Sequence, residues 1–279
     1  MLKSLISFTP KLVSVIALSS TLIACGGAES VAVNSTSNGL QASLTSNNNS
    51  LDLSGTVGDS PIIEANITIK DSNGNVVATS ISDDSAHYSV NIPEGTSYPL
   101  IVSIDGGINT VTNEAPLFNM VSVIENDSQT TANINSFTTL ITHSAQAMGG
   151  ALNLRNISLA KLQITNSVNF GLNNDTLLDV VSSQINEENV ASFVKASVTL
   201  GEWLNRTYIT LSAEDQSWTQ EKLVIALAAD LVDGTLDGKG AEGSDAVVAA
   251  TANVLSAQVL VESLSQSLQV TDINVMASI

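Results

Sequence analysis

The chain has 279 residues, nine Lys and Arg against 27 Asp and Glu, and a formal net charge of −18 at pH 7. Such a surface repels nucleic acid and anionic headgroups, which excludes nucleic acid as a partner. With 4% aromatic residues and one cysteine, the core must be aliphatic, stacking platforms are scarce and no internal disulfide can form.

The N-terminus carries Lys3 and Lys11, then an apolar run over 12–24. A bilayer span needs about 20 apolar residues, so this run is too short to be one. A charged start, a short apolar stretch and small residues at its end describe a secretory signal. The run closes on Leu22-Ile23-Ala24-Cys25, with the only cysteine of the chain at its end. This segment resembles a bacterial lipoprotein signal. The resemblance implies cleavage between Ala24 and Cys25, acylation of Cys25, and membrane association through those acyl chains. Gly26, where an Asp favours inner-membrane retention in Gram-negative lipoproteins, implies the outer membrane. Cleavage removes two lysines and no acid, leaving a mature charge of −20.

Residues 25–50 are rich in Ser and Asn and read as a flexible tether. A coil of that length holds the next segment roughly 25 Å from the anchor. A short edge strand over 40–44 is the alternative.

From residue 51 the hydrophobic period becomes two. Strands are expected over 51–57, 65–70, 76–81, 86–92, 100–104, 117–124 and 131–134. Asn73-Gly74 marks a tight hairpin, because both residues tolerate positive φ. Short strands at this spacing predict an antiparallel β-sandwich. Gly55, Val57, Pro61, Ala65, Ile67, Ile69, Gly74, Tyr88, Val90, Pro93 and Gly95 form a pattern. That pattern resembles the carboxypeptidase-regulatory-like or bacterial Ig-like modules of surface lipoproteins, and implies an Ig-like or prealbumin-like sandwich. The likeness covers about 55 residues and says little of function, since such folds host many roles.

After Phe137 the period changes to about 3.6. One helix is expected around 190–204 and another over 223–231, the latter ended by Gly234. A long helix is expected from 247 to 268, capped by Ser244. Shorter helices are expected over 177–185, 139–148 and 158–170. These stripes predict an all-α bundle, or a groove for a partner. The junction Asn133-Ile134-Asn135-Ser136-Phe137-Thr138-Thr139-Leu140 resembles the passage from sandwich to helices in such lipoproteins, with Ser136-Phe137 where Pro-Leu is usual.

The acidic, glycine-rich stretch 230–245 is the best candidate for chemistry. Asp233, Asp237, Glu242 and Asp245 could offer calcium its oxygen ligands. An EF-hand frame starting at Asp233 fails at position 12, which is Ser244, and Lys239 brings a positive charge. A solvated inter-helix loop is therefore the simpler reading. His87 alternates to the solvent face of its strand, and His143 is expected near the start of a helix. Two separated histidines without an HExxH pattern make no zinc site, and no G-x-S-x-G elbow supplies a nucleophile. P-loop and G-x-G-x-x-G patterns are also missing from the sequence. Lys70 ends a strand and reads as a surface lysine, not the nucleophile of an isopeptide bond. Trp203 and Trp218 read as core edge, not as a ligand platform.

The expectation is thus an α+β lipoprotein. Residues 1–24 form its signal, 25–50 the tether, 51–135 the sandwich and 136–279 the helical part. It needs no cofactor, is not an enzyme, and presents surface to an envelope or extracellular protein. The alternative is an enzyme or calcium-binding domain in the helical half.

Overall fold

The computed structural model describes residues 50–172 and 179–267. Ala24, Cys25, the tether up to residue 49 and the strand expectation at 40–44 lie outside them, as do Leu177, Leu178 and Leu268. All described residues belong to one compact unit, Ser43–Ile279.

The fold is α+β, with antiparallel sheets first and helices after. In β1 (Leu51–Thr56) Leu51, Leu53 and Gly55 are buried and alternate with exposed Asp52 and Ser54 and half-buried Thr56, as a half-buried strand demands. It pairs antiparallel with β5 (His87–Ile92), Leu53 opposite Val90 and Gly55 opposite Tyr88. Its other edge takes up residues 130–134 in parallel, through Ser54 N–H to Thr130 O (3.0 Å), Ala132 N–H to Ser54 O (2.8 Å) and Ile134 N–H to Thr56 O (2.9 Å). Gly55 permits this approach, since a Cβ there would lie 2.0 Å from the Ala132 oxygen. That oxygen also accepts from the buried Tyr88 hydroxyl at 2.7 Å.

A second sheet has the order β4-β3-β6-β8, all antiparallel. Its strands are β3 (Asn66–Lys70), β4 (Val76–Ile81), β6 (Leu100–Asp105) and β8 (Val121–Ile124). The β3–β4 hairpin turns at Gly74 (φ 84°), and Asp71 Oδ1 accepts from the Asn73 and Asn75 amides. A two-residue ladder joins β2 (Ile62–Ile63) to β7 (Ile108–Asn109). Inward side chains of both sheets, among them Leu53, Ile92, Ile67, Leu100 and Val102, join one hydrophobic cluster. Each such burial contributes about 1.5–3 kcal/mol.

The helices are α1 (Ser136–Ala147), α2 (Leu154–Ser167), α3 (Val190–Glu214), α4 (Gln220–Asp230) and α5 (Ala246–Ser267). Asn135 caps α1 in a full capping box with Thr138. Thr138 and Thr139 turn their hydroxyls on Val121, tying the first turn of α1 to β8. The same cluster that fills the sheets continues through Phe137, Leu140, Ile157, Leu200 and Leu227. By length and composition α5 could cross a membrane, with a mean hydropathy of 1.5 over Ala246–Ser265. Here one face of it packs on the protein, and Trp203 Nε1 donates to its Ala252 carbonyl at 2.8 Å.

Several expectations are corrected. The strand expected over 117–124 shortens to β8, with buried Phe118 and Met120 leading into it. Residues 131–134 bridge β1 at isolated positions without forming a continuous strand. The described part of the 177–185 helix is a set of turns. There Asn133 takes the carbonyls a helix would need: its Nδ2 donates to Ser183 O at 2.8 Å and Val180 O at 3.5 Å, and its amide to Val181 O. The cap of α5 is Asp245, whose Oδ1 accepts from Val247 N–H (2.7 Å) and Val248 N–H (3.1 Å). Ser244 instead donates its hydroxyl to Ala241 O.

Candidate functional site

The acidic loop is a built structure organised around a residue outside the candidate ligand set. Asp230, the last residue of α4, is buried. Its Oδ2 accepts from Gly238 N–H at 3.0 Å and its Oδ1 from Gly240 N–H at 3.2 Å. The loop lies against the end of α4 so closely that a Cβ on Gly240 would come within 2.2 Å of Asp230 O. Gly234 takes the left-handed conformation after a 3₁₀ turn, Leu231–Asp233. Three of the four candidate ligands are spent locally. Asp233 accepts from Thr235, Asp237 from the Lys239 amide, and Asp245 caps α5, while Glu242 is exposed. Among the described residues no three His, Cys, Asp or Glu side chains gather as a metal set.

His87 is exposed, as the strand alternation requires, with Nδ1 2.8 Å from Ser85 O. His143 sits past the middle of α1, not near its start, 3.2 Å from Gln146 Oε1. Burial pushes its pKa below the ordinary histidine value, against the pull of Gln146 and Glu221. Trp203 is a fully buried core residue that stacks at a tilt on Phe170, whereas Trp218 is only partly buried.

A recess forms where the β1–β2 loop meets the start of α3. The loop is held by Gly58 (φ 102°), whose amide donates to Ile134 O at 2.7 Å. A Cβ at Gly58 would fall 2.1 Å from Ser60 O, so only glycine fits. Next to it, Asp59 points into the junction of three segments. Its Oδ1 accepts from the Ser136 amide at 2.9 Å, its Oδ2 accepts from the Ser136 hydroxyl, and Gly201 of α3 leaves it room. Burial raises its pKa to about 6, and the bonds from Ser136 offset part of that rise. Pro61, Ile185, Val190, Phe193 and Val194 give this cleft of about 390 Å³ its apolar walls, and Asp59 and Glu187 its acid.

On the other side of Val190 and Val194 runs a wider groove of about 890 Å³ between α3 and α5. Val198 and Val259 line it, and Arg206 closes one end. That guanidinium holds Glu262 of α5 through both Nη atoms (3.0 and 2.8 Å) and Glu202 of α3 through Nε (2.7 Å). These two carboxylates raise its already high pKa. Val190, Val194 and Val198 therefore form an exposed ridge between two recesses. The helical period places Val190 and Val194 on the same face as Phe193, Leu200 and Leu204, but the packing buries those three and leaves Val190 and Val194 exposed together with Val198.

Asp59 escapes a sequence reading because it sits in a Gly- and Pro-flanked turn, where an acid is ordinarily a solvated turn former, and Asp230 because an acid at the end of a helix gives no sign that a following loop folds back onto it. No protein-family model matches the chain, and its comparison with curated proteins and with solved structures gives no match either.

Proposed function

We propose that this protein is an acylated lipoprotein, tethered to the outer membrane through Cys25. In this reading an Ig-like or prealbumin-like sandwich and a helical bundle are presented beyond a flexible tether. It works by binding protein, without catalysis and without a cofactor. The observation that carries the reading is the exposed ridge Val190, Val194 and Val198, flanked by an apolar cleft on one side and on the other by a groove that mixes valines with Lys195, Glu202, Arg206 and Glu262. Apolar side chains gathered on one helix face, between clefts, suit a partner better than they suit water. The acid at the rim and the net charge of −18 favour a partner with an apolar anchor flanked by basic residues. The Ala24-Cys25 end of the apolar N-terminal run supports the anchoring. Lipid attachment needs more than one acyl chain to hold firmly, at about 0.8 kcal/mol per buried methylene.

The test is metabolic labelling of the full chain with an alkyne fatty acid, joined to cross-linked capture from intact envelope. The label is expected on the wild-type chain and lost in Cys25→Ser. A captured partner is expected to be lost in Val194→Glu and kept in Leu162→Glu, an exposed change on α2. An unlabelled chain that retains residues 1–24 overturns the anchoring, and capture indifferent to Val194→Glu overturns the site.

A further inference from the structure

The outward face of α5 has an order of its own. Six of its exposed apolar residues, Val247, Ala250, Val254, Ala257, Val261 and Leu264, are spaced three and four apart in turn, with exposed Leu260 beside them at the flank. That is the a/d pattern of a coiled coil, on the side of α5 opposite Val248, Ala252 and Val259, which pack into the protein. Val254 is 71% exposed. The only charged residue of α5 is Glu262, which Arg206 of α3 neutralises.

We propose that this face pairs with the same face of a second copy, as an antiparallel two-helix seam. Three features select that occupant. In the antiparallel register centred between residues 255 and 256, Val247 meets Leu264 of the other copy, Ala250 meets Val261 and Val254 meets Ala257. Every alanine thus faces a larger side chain, which fills the seam evenly. A parallel pair would set Ala against Ala and Val against Val, leaving gaps at alternate layers. Second, two molecules of net charge −18 repel over most of their surface, and this face carries no charge to bury or oppose. A bilayer is a poorer occupant, because helices that lie in the headgroup region carry Lys or Arg and α5 has none. Third, the seam runs about 27 Å. Two helices meeting over that length remove on the order of 1,000 Å² from water, the threshold for a specific interface. The pairing is independent of the acylation of Cys25.

The test is disulfide trapping between differently tagged full-length chains in the same cells. Val254→Cys in one copy and Ala257→Cys in the other are expected to cross-link at least tenfold more than Val254→Cys with itself. Adding Val261→Glu to both is expected to remove the product, while the wild-type chain, with Cys25 alone, gives the background. Leu162→Cys, exposed on α2, is expected to stay at background and controls for random collision. No cross-link above background overturns the pairing and leaves the face to lipid or to a different protein. A dominant self-cross-link of Val254→Cys overturns the antiparallel register.

Discussion

Asp59 sits where its charge is costly, in contact with the start of α1 and beside Gly201 of α3. Burial raises the pKa of its carboxyl to about 6 in the folded chain, from 3.8 for an ordinary aspartate. Between those pH values the folded state binds more protons than the unfolded one, so stability falls as pH rises through the window and stays lower above it. Two pH units correspond to about 3 kcal/mol. Asp59→Asn keeps an oxygen for the Ser136 amide and removes the titration. Its unfolding free energy relative to wild type is expected to improve by about 2–3 kcal/mol between pH 4 and pH 7, read from urea melts at both. Parallel pH profiles for the two proteins would show that the charge is solvated after all. Nothing in Gly58-Asp59-Ser60-Pro61 announces this burial, because the residues that desolvate Asp59 come from segments about 80 and 140 positions downstream.

The elements were legible in the sequence wherever a local pattern and the tertiary environment agree. The alternation of β1, β3 and β5, the Asn-Gly hairpin and the stripes of α3 and α4 are all where periodicity places them. Elsewhere a distant group prevails. Val181 and Ile185 have helical spacing, yet Asn133 takes the carbonyls of Val180, Val181 and Ser183. Its Oδ1 at the same time accepts from the Thr56 hydroxyl at 3.0 Å, so one buried amide joins β1, the 130–134 segment and the chain after residue 179. Asn133→Ala leaves those groups without their side-chain partner in a buried site, at about 1–3 kcal/mol for an orphaned group. A loss of about 3 kcal/mol is expected in chemical denaturation. A loss under 1 kcal/mol would mean that water replaces the amide and that Asn133 does not organise the segment. Ser244 and Asp245 illustrate the same limit on a smaller scale. Both residue types cap helices, and the bond of Ser244 to Ala241 O decides between them.

At the scale of the molecule, the sequence divides near residue 135, where the period changes from two to 3.6, while the packing runs straight across that point. Phe137 and Leu140 of α1 lie in the same cluster as Leu53 and Ile67 of the sheets. Three polar links also cross it: Asp59 to Ser136, Asn133 to Ser183, and Thr138 to Val121. Lys161 of α2 adds a fourth, holding both Glu125, just after β8, and Asp179. Burial alone would raise the Asp179 pKa, but the attraction and hydrogen bond of Lys161 outweigh it and hold the carboxyl below its ordinary range. Separating the halves would expose the cluster and strand these groups together, so neither half offers a stable stopping point in unfolding. Calorimetry of the full chain is expected to give one transition over the described core, with calorimetric and van't Hoff enthalpies equal. Two resolved transitions, one of them abolished by Leu53→Ala and the other by Leu227→Ala, would establish two independent domains and reduce the links at residues 133–138 to a contact between them.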